Sequence, residues 1–365
     1  MKFSINRTEL QTALGVVAKG AASRSTLPIL SGILLKASHD TLTLEATDLN
    51  LSIRCALPAF IEEEGQTVIP SKLITDVVKS LPDAAVHVDA NDESAKILCE
   101  TSAFSLKPLN AEDFPGFPDV DPESSISIPF ATFSRMVKRV ARVVSRDESR
   151  PILTGVLVEA EDGVLRMVAT DSYRLAVTDT DFTADSEGFK AVIAGTFLSD
   201  LAALAPNEDN ITLSLAENQI VATYSGTTFV NRKIEGTYPR YQQLIPDQYK
   251  TRAKFDTKQL TEAVKRTSLL SNRTAPVKFD LNSASNTTQV STVSQDIGEA
   301  RETIASEIEG EDTDISFNFS YVLDGLSSVE TDAVYLELQG PMRQGIFKSE
   351  EEERYLYLVM PMRVS

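Results

Sequence analysis

Residues 28–34, Pro-Ile-Leu-Ser-Gly-Ile-Leu, return 123 positions later as residues 151–157, Pro-Ile-Leu-Thr-Gly-Val-Leu. The register continues without a gap for 21 positions, through Thr-Asp in both copies, and ten of the 21 residues are identical. Chance would give roughly one or two identities, so this is an internal duplication. A third, weaker copy at residues 275–281 lacks the Thr-Asp pair at the expected distance. The chain is therefore built from three repeats of about 120 residues.

Each repeat is predicted to contain two helices. The first helices begin at Thr8, Ala131 and Thr257. The second helices cover residues 71–81, 196–205 and 318–329. The first residue of each second helix is polar and is predicted to be its N-cap, namely Ser71, Thr196 and Asn318.

Short runs of alternating apolar and polar residues follow each second helix. These runs are residues 86–88, 211–215 and 334–338. A period of two indicates half-buried antiparallel strands. We predict an α+β fold of three tandem domains, 1–123, 124–249 and 250–365, each with two helices packed on antiparallel sheets.

Composition excludes several classes of protein. The 365 residues are 42% hydrophobic and 24% charged, which is typical of globular chains. Two cysteines, Cys55 and Cys99, are too few for a disulfide scaffold. The N-terminus lacks the apolar run of a signal peptide, and 18 apolar residues nowhere stand together. We therefore expect a soluble cytoplasmic protein. The two histidines stand apart from any cysteine pair, and we expect no metal and no cofactor.

Positive charge is confined to three segments. The formal net charge of the chain is -18. Residues 124–146 carry +5 with no acid, residues 1–26 carry +3 and residues 252–273 carry +4, which leaves -30 on the other 294 residues. Each segment contains the first helix of a repeat. One basic helix is usually an ordinary solvated face, but the same bias in three repeats indicates a shared ligand.

The helix predicted from Ala131 shows how this charge is arranged. At about 100° per residue, its basic residues out to Arg146 fall in an arc of about 100°, opposite Phe133, Met136 and four valines. Basic helices attract a polyanion, and DNA is the obvious one. Because neither a recognition-helix pattern nor interleaved aromatic residues are present, we expect non-specific contact with the duplex backbone. The candidate DNA-binding residues are Lys19, Lys72, Lys79, Arg135, Lys138, Arg139, Arg142, Arg146, Lys265 and Arg266.

Several motifs together resemble the bacterial sliding clamp, the beta subunit of DNA polymerase III. They are the threefold repeat, Leu27-Pro28-Ile29-Leu30, Ala169-Thr170-Asp171, the turn Gly236-Thr237-Tyr238-Pro239 and the ending Val359-Met360-Pro361-Met362-Arg363. The resemblance covers the whole chain. It implies a non-catalytic processivity factor that forms a head-to-tail homodimeric ring of six domains, with helices lining the hole. It also adds Arg24 to the DNA-binding residues.

The resemblance further implies two protein contacts. In the dimer, Phe104 and Leu106 of one chain would face Leu269 and Leu270 of the other; the alternative is that all four are core residues. Polymerases, an ATP-dependent clamp loader and repair proteins would dock short peptides in an apolar groove. The matching groove residues are Leu153, Thr170, Ser172, Tyr173, Arg174, Leu175, Pro239, Leu244, Asn318, Tyr321, Leu358, Met360, Pro361 and Met362. Two of the six methionines are in this set, and flexible thioethers suit a groove with several partners.

Other functions stay open at this point. A DNA-binding repeat protein that does not encircle DNA would share the basic helices. An enzyme could have an unrecognised carboxylate pair among 53 acidic residues, although no P-loop, dinucleotide fingerprint or nucleophile elbow is present. A β-rich adhesion repeat protein would be expected to carry an export signal.

Overall fold

The fold is described by a computed structural model of residues 1–182, 188–271, 276–294, 297–349 and 354–363. Within these ranges the chain forms six α-helices and 26 β-strands, which confirms the prediction of two helices in each repeat. The helices are α1 Arg7–Val17, α2 Ser71–Ser80, α3 Phe130–Val140, α4 Gly195–Ala202, α5 Thr257–Thr267 and α6 Phe319–Leu326. None of these helices has the length and apolar character needed to cross a membrane.

The chain divides into two compact units, and unit 1 comprises residues 1–130 and 204–233. Its larger sheet has eight antiparallel strands in the order β10 Ser124–Pro129, β15 Asn210–Leu215, β16 Gln219–Tyr224, β17 Thr227–Arg232, β4 Leu51–Pro58, β3 Thr41–Thr47, β2 Gly32–Ser38 and β6 Gly65–Pro70. Its smaller sheet has the order β5 Phe60–Glu63, β1 Lys2–Asn6, β7 Ala85–Ala90, β8 Ala95–Cys99 and β9 Ser102–Leu106.

Unit 2 comprises residues 131–203 and 234–365. Its larger sheet has nine strands in the order β14 Phe189–Ala194, β11 Gly155–Glu161, β12 Val164–Thr170, β13 Arg174–Asp181, β26 Tyr355–Val359, β25 Gly345–Ser349, β24 Ala333–Leu338, β18 Thr251–Asp256 and β22 Glu307–Gly310. Its smaller sheet has the order β21 Gly298–Ala305, β20 Thr287–Ser294, β19 Val277–Asn282 and β23 Thr313–Phe317. The strand pairs of both units are antiparallel, as the alternating pattern predicted.

The helices pack on the sheets through one apolar face. Helix α1 buries Leu10, Leu14 and Val17 against β3 and β4. Leu10 and Leu14 are four residues apart and Val17 follows one turn later, so all three lie on one stripe of the helix. Burying each of these side chains stabilises the fold by about 1.5–3 kcal/mol relative to exposure.

The first two repeats share one helix and three strands with identical bounds. Helix α3 begins and ends 123 residues after α1, and β11, β12 and β13 begin and end 123 residues after β2, β3 and β4. The strand register is shared as well, because Leu157 pairs with Val168 where Leu34 pairs with Glu45. The duplication seen in the sequence is therefore a duplication of structure.

The repeated Thr-Asp pair forms the same turn in both copies. The Asp171 carboxylate accepts hydrogen bonds from the backbone N–H groups of Tyr173 (2.9 Å) and Arg174 (3.0 Å). The Asp48 carboxylate likewise accepts hydrogen bonds from the backbone N–H groups of the equivalent residues, Asn50 and Leu51. The residue after the aspartate has a left-handed backbone in both copies, with φ 75° at Leu49 and 80° at Ser172. Because these bonds hold that conformation, non-glycine residues occupy it.

Three local predictions need correction or refinement. Asn318 is the N-cap of α6, and its side chain accepts a hydrogen bond from Ser320 N at 2.9 Å, as predicted. Ser71 and Thr196 lie inside their helices, because β6 and β14 run straight into α2 and α4 and leave Pro70 and Ala194 at the N-cap. Helix α3 ends at Val140 and gives way to a short 3₁₀ turn over Ala141–Val143. The prediction that the basic residues out to Arg146 share one face of this helix is therefore wrong beyond Val140.

Candidate functional site

An apolar cluster forms on the larger sheet of unit 2. Its centre is the cross-strand pair Leu175 and Leu358, which are fully buried. The cluster contains Leu157, Val168, Leu175, Val177, Val192, Tyr241, Ile346 and Leu358, with Ile152, Ile234, Tyr238, Ile245 and Leu356 half-buried beside it. The sequence predicted Leu175 and Leu358 as groove residues, and the structure places them side by side.

Exposed apolar side chains belong to the same group of predicted groove residues. Tyr173 is 60% exposed, Leu244 is 44% exposed and Met360 is 39% exposed. Strand β26 ends at Val359, so residues 360–362 do not continue it as a core strand. Instead the backbone N–H of Met360 donates to Tyr173 O at 2.9 Å. This bond fixes the beginning of the tail beside the Tyr173 turn.

The remaining predicted groove residues have different environments. Thr170 is buried, and its hydroxyl donates to Arg174 O at 2.7 Å. Leu153 is also buried, Pro239 is exposed, and Pro361 and Met362 are half-buried. The Met362 N–H donates to the Ser316 carbonyl at 2.8 Å. The buried residues Thr170 and Leu153 support the exposed ones from below. The exposed Pro239 is accessible to a ligand.

Arg174 is almost buried and joins several elements of unit 2. Its guanidinium donates to the carboxylates of Asp171 (3.0 Å) and Asp324 (2.5 Å), to the Tyr357 hydroxyl (3.3 Å) and to Arg142 O (3.0 Å). It also lies 4.4 Å from the centre of the Tyr321 ring. Burial alone would lower the pKa of Arg174, but the Tyr357 hydroxyl and the two carboxylates raise it by more. Arg174 therefore holds the ring of Tyr321, one of the predicted groove residues, in place.

A charged cavity of about 520 Å³ adjoins Tyr173 and Tyr321. Arg150 lines it and was missed by the sequence analysis. Its guanidinium donates to Asp147 (3.1 Å) and to the Ser172 hydroxyl (3.1 Å). One signal could have identified Arg150, since it directly precedes the duplicated Pro-Ile-Leu segment. Asp324, which also lines the cavity, carries no comparable signal.

Most of the predicted DNA-binding residues have exposed side chains. Exposed members are Lys19, Arg24, Lys72, Lys79, Arg135, Lys138, Arg142, Arg146, Lys265 and Arg266. Arg139 is the exception, because only 7% of its side chain is exposed. Its Nη2 lies 3.4 Å from a Glu330 carboxylate oxygen, and its guanidinium lies 5.4 Å from the centre of the Tyr355 ring. The expectation that Arg139 is exposed is therefore wrong.

The basic residues of α5 are balanced by acids. Arg266 donates two hydrogen bonds to Glu302 on β21, at 3.0 and 2.6 Å. The bond to Glu302 raises the pKa of Arg266 and lowers the pKa of the carboxylate. Lys265 donates to Glu262 at 3.1 Å. These pairs reduce the positive charge that the segment presents to a polyanion.

The predicted dimer residues lie on an edge strand of unit 1 and in a turn of unit 2. Phe104 and Leu106 are on β9, the edge strand of the smaller sheet of unit 1, and Phe104 is 37% exposed. Phe104 pairs with the buried Ile97, so it lies on the core-facing side of the sheet. In unit 2, Leu269 and Leu270 form a 3₁₀ turn after α5, and Leu269 is 80% exposed. None of the four is fully buried, so the alternative of core residues is wrong.

The repeated domains, the apolar cluster with residues 360–362 beside it and the exposed basic residues are together typical of a polymerase-associated clamp. Comparison with known proteins supports this class along the whole length of the chain. Family models for the N-terminal, central and C-terminal domains of the DNA polymerase III beta subunit match residues 1–118, 127–240 and 242–363.

Relatives and solved structures match over complete chains. The beta sliding clamps of Synechocystis sp. and Streptomyces coelicolor are each 31% identical, over 100% of both chains. The Bacillus subtilis sliding clamp structure is 31% identical with a TM-score of 0.95, and a Pseudomonas aeruginosa clamp bound to griselimycin is 29% identical with a TM-score of 0.93, each covering 100% of both chains. The chain belongs to the DNA polymerase III beta subunit family. It is a DNA sliding clamp, a non-catalytic processivity factor.

Proposed function

We propose that two copies of this chain form a closed ring around duplex DNA and tether polymerases and repair proteins to it. The three domains would be 1–123, 124–249 and 250–365. One observation carries the proposal: the smaller sheet of each unit ends in an edge strand, β9 in unit 1 and β21 in unit 2. An exposed apolar side chain lies at each edge, Phe104 on β9 and Leu269 in the turn that contacts β21. An edge strand presents unpaired backbone N–H and C=O groups, and a strand of a partner chain can pair with them.

Ring closure follows from joining unlike edges. If β9 of one chain adds to β21 of its partner, Phe104 and Leu106 come to face Leu269 and Leu270 of the other chain. Such a head-to-tail contact has different surfaces on its two sides, so it produces either a ring or an open filament. Two chains of three domains each would close the ring and cover both β9 and β21 in each chain.

Contact with DNA would be weak and independent of sequence. Exposed Lys and Arg on or after the helices attract phosphates. This attraction weakens steeply as the salt concentration rises, because the release of counterions from DNA then gains less free energy. The acidic remainder of the chain repels the duplex. A closed ring of this kind stays on DNA by topology while its contacts let it slide.

The groove on unit 2 would hold the partner peptides. Its apolar floor at Leu175 and Leu358 would accept an apolar side chain, and Tyr173, Leu244 and Met360 would pack around it. The clamp loader would use the same groove, and its ATP hydrolysis would supply the energy for opening the ring. No cofactor of the chain itself is needed.

The test is retention on circular duplex DNA. The full chain is incubated with a matched clamp loader, ATP and a nicked plasmid, and bound protein is then separated in high salt, before and after one restriction cut. Retention on the circle and release on cutting supports encirclement. Loss from both forms, with the loader active on another clamp, contradicts encirclement and favours an ordinary electrostatic DNA-binding protein.

A further inference from the structure

Unit 1 contains an open cavity of about 320 Å³ that the groove and the basic surfaces do not use. It lies between α1, β4 and β17, with residues 204–205 and 224–225 at its rim. Every lining residue belongs to unit 1. Its volume is in the range of small-molecule sites.

The internal repeat shows which side chains are missing from this space. Because α3 follows α1 by 123 residues, Val16 occupies the position of Arg139. In unit 2, Arg139 extends beside the Tyr355 ring, with Glu330 at its far end. Val16 has no such extension, and its side chain lines the cavity.

The second missing side chain is an aromatic ring. Strand β17 pairs with β4 in the register in which β26 pairs with β13, so Val230 corresponds to Leu358. Three residues earlier, Thr227 therefore corresponds to Tyr355, and Thr227 also lines the cavity. Unit 1 thus has space where unit 2 holds a guanidinium chain and a phenol ring.

The lining of the cavity is apolar with one charged group. Ala13, Leu57 and Phe229 supply apolar surface, and Glu9 is the one charged residue of the lining. Glu9 is exposed, and no ion pair involves it within the residues that the structure describes. The Tyr224 hydroxyl is already used, since it accepts from Asn207 N and donates to Ala205 O.

We infer that this cavity is a binding site for a small aromatic molecule that carries a short cationic chain. The ring would take the place that Tyr355 fills in unit 2 and would contact Phe229. The cationic group would pair with the Glu9 carboxylate at the mouth, and partial burial would strengthen that attraction relative to bulk water. None of the predicted DNA-binding, groove or dimer residues lines this cavity.

The probes are three molecules with one skeleton. Tryptamine is cationic, 3-ethylindole is neutral and indole-3-propionate is anionic. Binding to the full chain is measured by saturation-transfer NMR and by the shift in melting temperature, which ligand binding to the native state raises. We expect tryptamine to bind saturably, at least fivefold more tightly than 3-ethylindole, with indole-3-propionate the weakest.

Thr227→Tyr places in unit 1 the ring that unit 2 has, so it should weaken tryptamine binding at least tenfold. Thr223→Tyr is the matched control, because Thr223 is exposed on the neighbouring strand and does not line the cavity. If Thr227→Tyr fails to fold, Ala205→Phe fills the cavity from its exposed rim. Glu9→Gln should reduce tryptamine binding severalfold and leave 3-ethylindole binding unchanged.

Two results would overturn the site itself. One is the absence of saturable binding by tryptamine and 3-ethylindole at millimolar concentrations. The other is equal tryptamine affinity in the wild type and in both filled variants. If the neutral probe binds as tightly as tryptamine and Glu9→Gln changes neither affinity, the cationic part of the assignment is wrong.

Discussion

The Arg174 guanidinium donates a hydrogen bond to the Asp324 carboxylate of α6, 150 residues further along the chain. The same side chain holds Asp171 in the adjacent turn and the carbonyl of Arg142. One buried cation thus joins the turn beside the groove to α6 and to the segment after α3. Tyr321, whose ring lies against this cation, depends on it for its position.

We expect Arg174→Ala to lower the free energy of unfolding by about 3 kcal/mol, because it removes the buried guanidinium that compensates the Asp171 carboxylate and hydrogen bonds to the Tyr357 hydroxyl. Arg174→Lys should recover part of the loss, since a lysine keeps the charge without the planar fork. Urea unfolding measures both variants. Arg354→Ala removes an exposed ion pair with Asp181 and is the control, with an expected change within about 0.5 kcal/mol. Equal effects at positions 174 and 354 would contradict this assignment.

The exposed groove residues should affect affinity without affecting stability. Met360→Ala should weaken binding of a polymerase-derived peptide about tenfold, because it removes apolar contact and leaves the backbone bond to Tyr173 in place. Fluorescence anisotropy of a labelled peptide measures the affinity. Met342→Ala is the matched control, since Met342 is 56% exposed and does not belong to the groove. A peptide affinity reduced equally by both substitutions would argue against the groove.

Removal of residues 360–365 should abolish peptide binding and spare ring closure. The truncation also removes the bond from Met362 N to Ser316 O. A melting curve must therefore accompany the binding measurement. A stable truncated chain that still binds the peptide would contradict the role of the tail.

Substitutions of two arginines of α3 should affect different properties, DNA retention at Arg135 and stability at Arg139. Arg135 is exposed and Arg139 is buried. Arg24→Glu combined with Arg135→Glu should shorten retention on circular DNA several-fold in moderate salt, because each reversal replaces attraction to phosphate by repulsion. Arg139→Ala should instead lower stability by about 1–3 kcal/mol through lost packing and an unpaired Glu330. Full retention by the double variant would remove Arg24 and Arg135 from the DNA surface.

Ring closure should depend on Leu269, a side chain that contributes little to the stability of the monomer. Leu269 is 80% exposed, so Leu269→Asp should leave the melting temperature of the monomer unchanged while weakening the dimer at least a hundredfold. Sedimentation velocity over a dilution series gives the dimer dissociation constant. Phe60→Asp is the control, because Phe60 is 67% exposed on β5, the opposite edge of the sheet that contains Phe104. Unchanged dimerisation of Leu269→Asp would remove this turn from the interface.

Alkaline pH should destabilise the protein. Burial raises the pKa of Tyr238, Tyr355 and Tyr357 above the usual value of about 10. Above pH 10 the unfolded chain loses these protons while the folded chain keeps them, so the stabilisation is complete below pH 10 and declines as the pH rises further. Urea unfolding between pH 8 and 11 measures this decline. Tyr238→Phe should make it less steep, and an unchanged slope would contradict the contribution of Tyr238.

Local patterns in the sequence determined the elements and their repetition. The spacing of 123 residues set the bounds of α3 and of three strands, because the same residues make the same short-range bonds in both copies. The Thr-Asp turn is a clear case, since every bond of the Asp171 carboxylate to the backbone reaches two or three residues along the chain. Asn318 was recognised as an N-cap for the same reason. The basic segments were also visible in the sequence, whereas Leu175 and Leu358 were predicted as groove residues only through the family resemblance.

Tertiary structure alone decided which long side chains are buried and which groups they contact. Arg135 and Arg139 are one turn apart on α3 and look alike in the sequence, yet Arg139 is buried because Glu330 and Tyr355, from distant segments, surround it. Arg150 and Asp324 entered the groove region through contacts across more than 20 residues, which no local pattern encodes. The cavity of unit 1 has the same origin, because the small residues Val16 and Thr227 that line it come from segments far apart in the chain. Periodicity fixes which face of an element is apolar, but the partner of each side chain is fixed by packing between segments that are far apart in the chain.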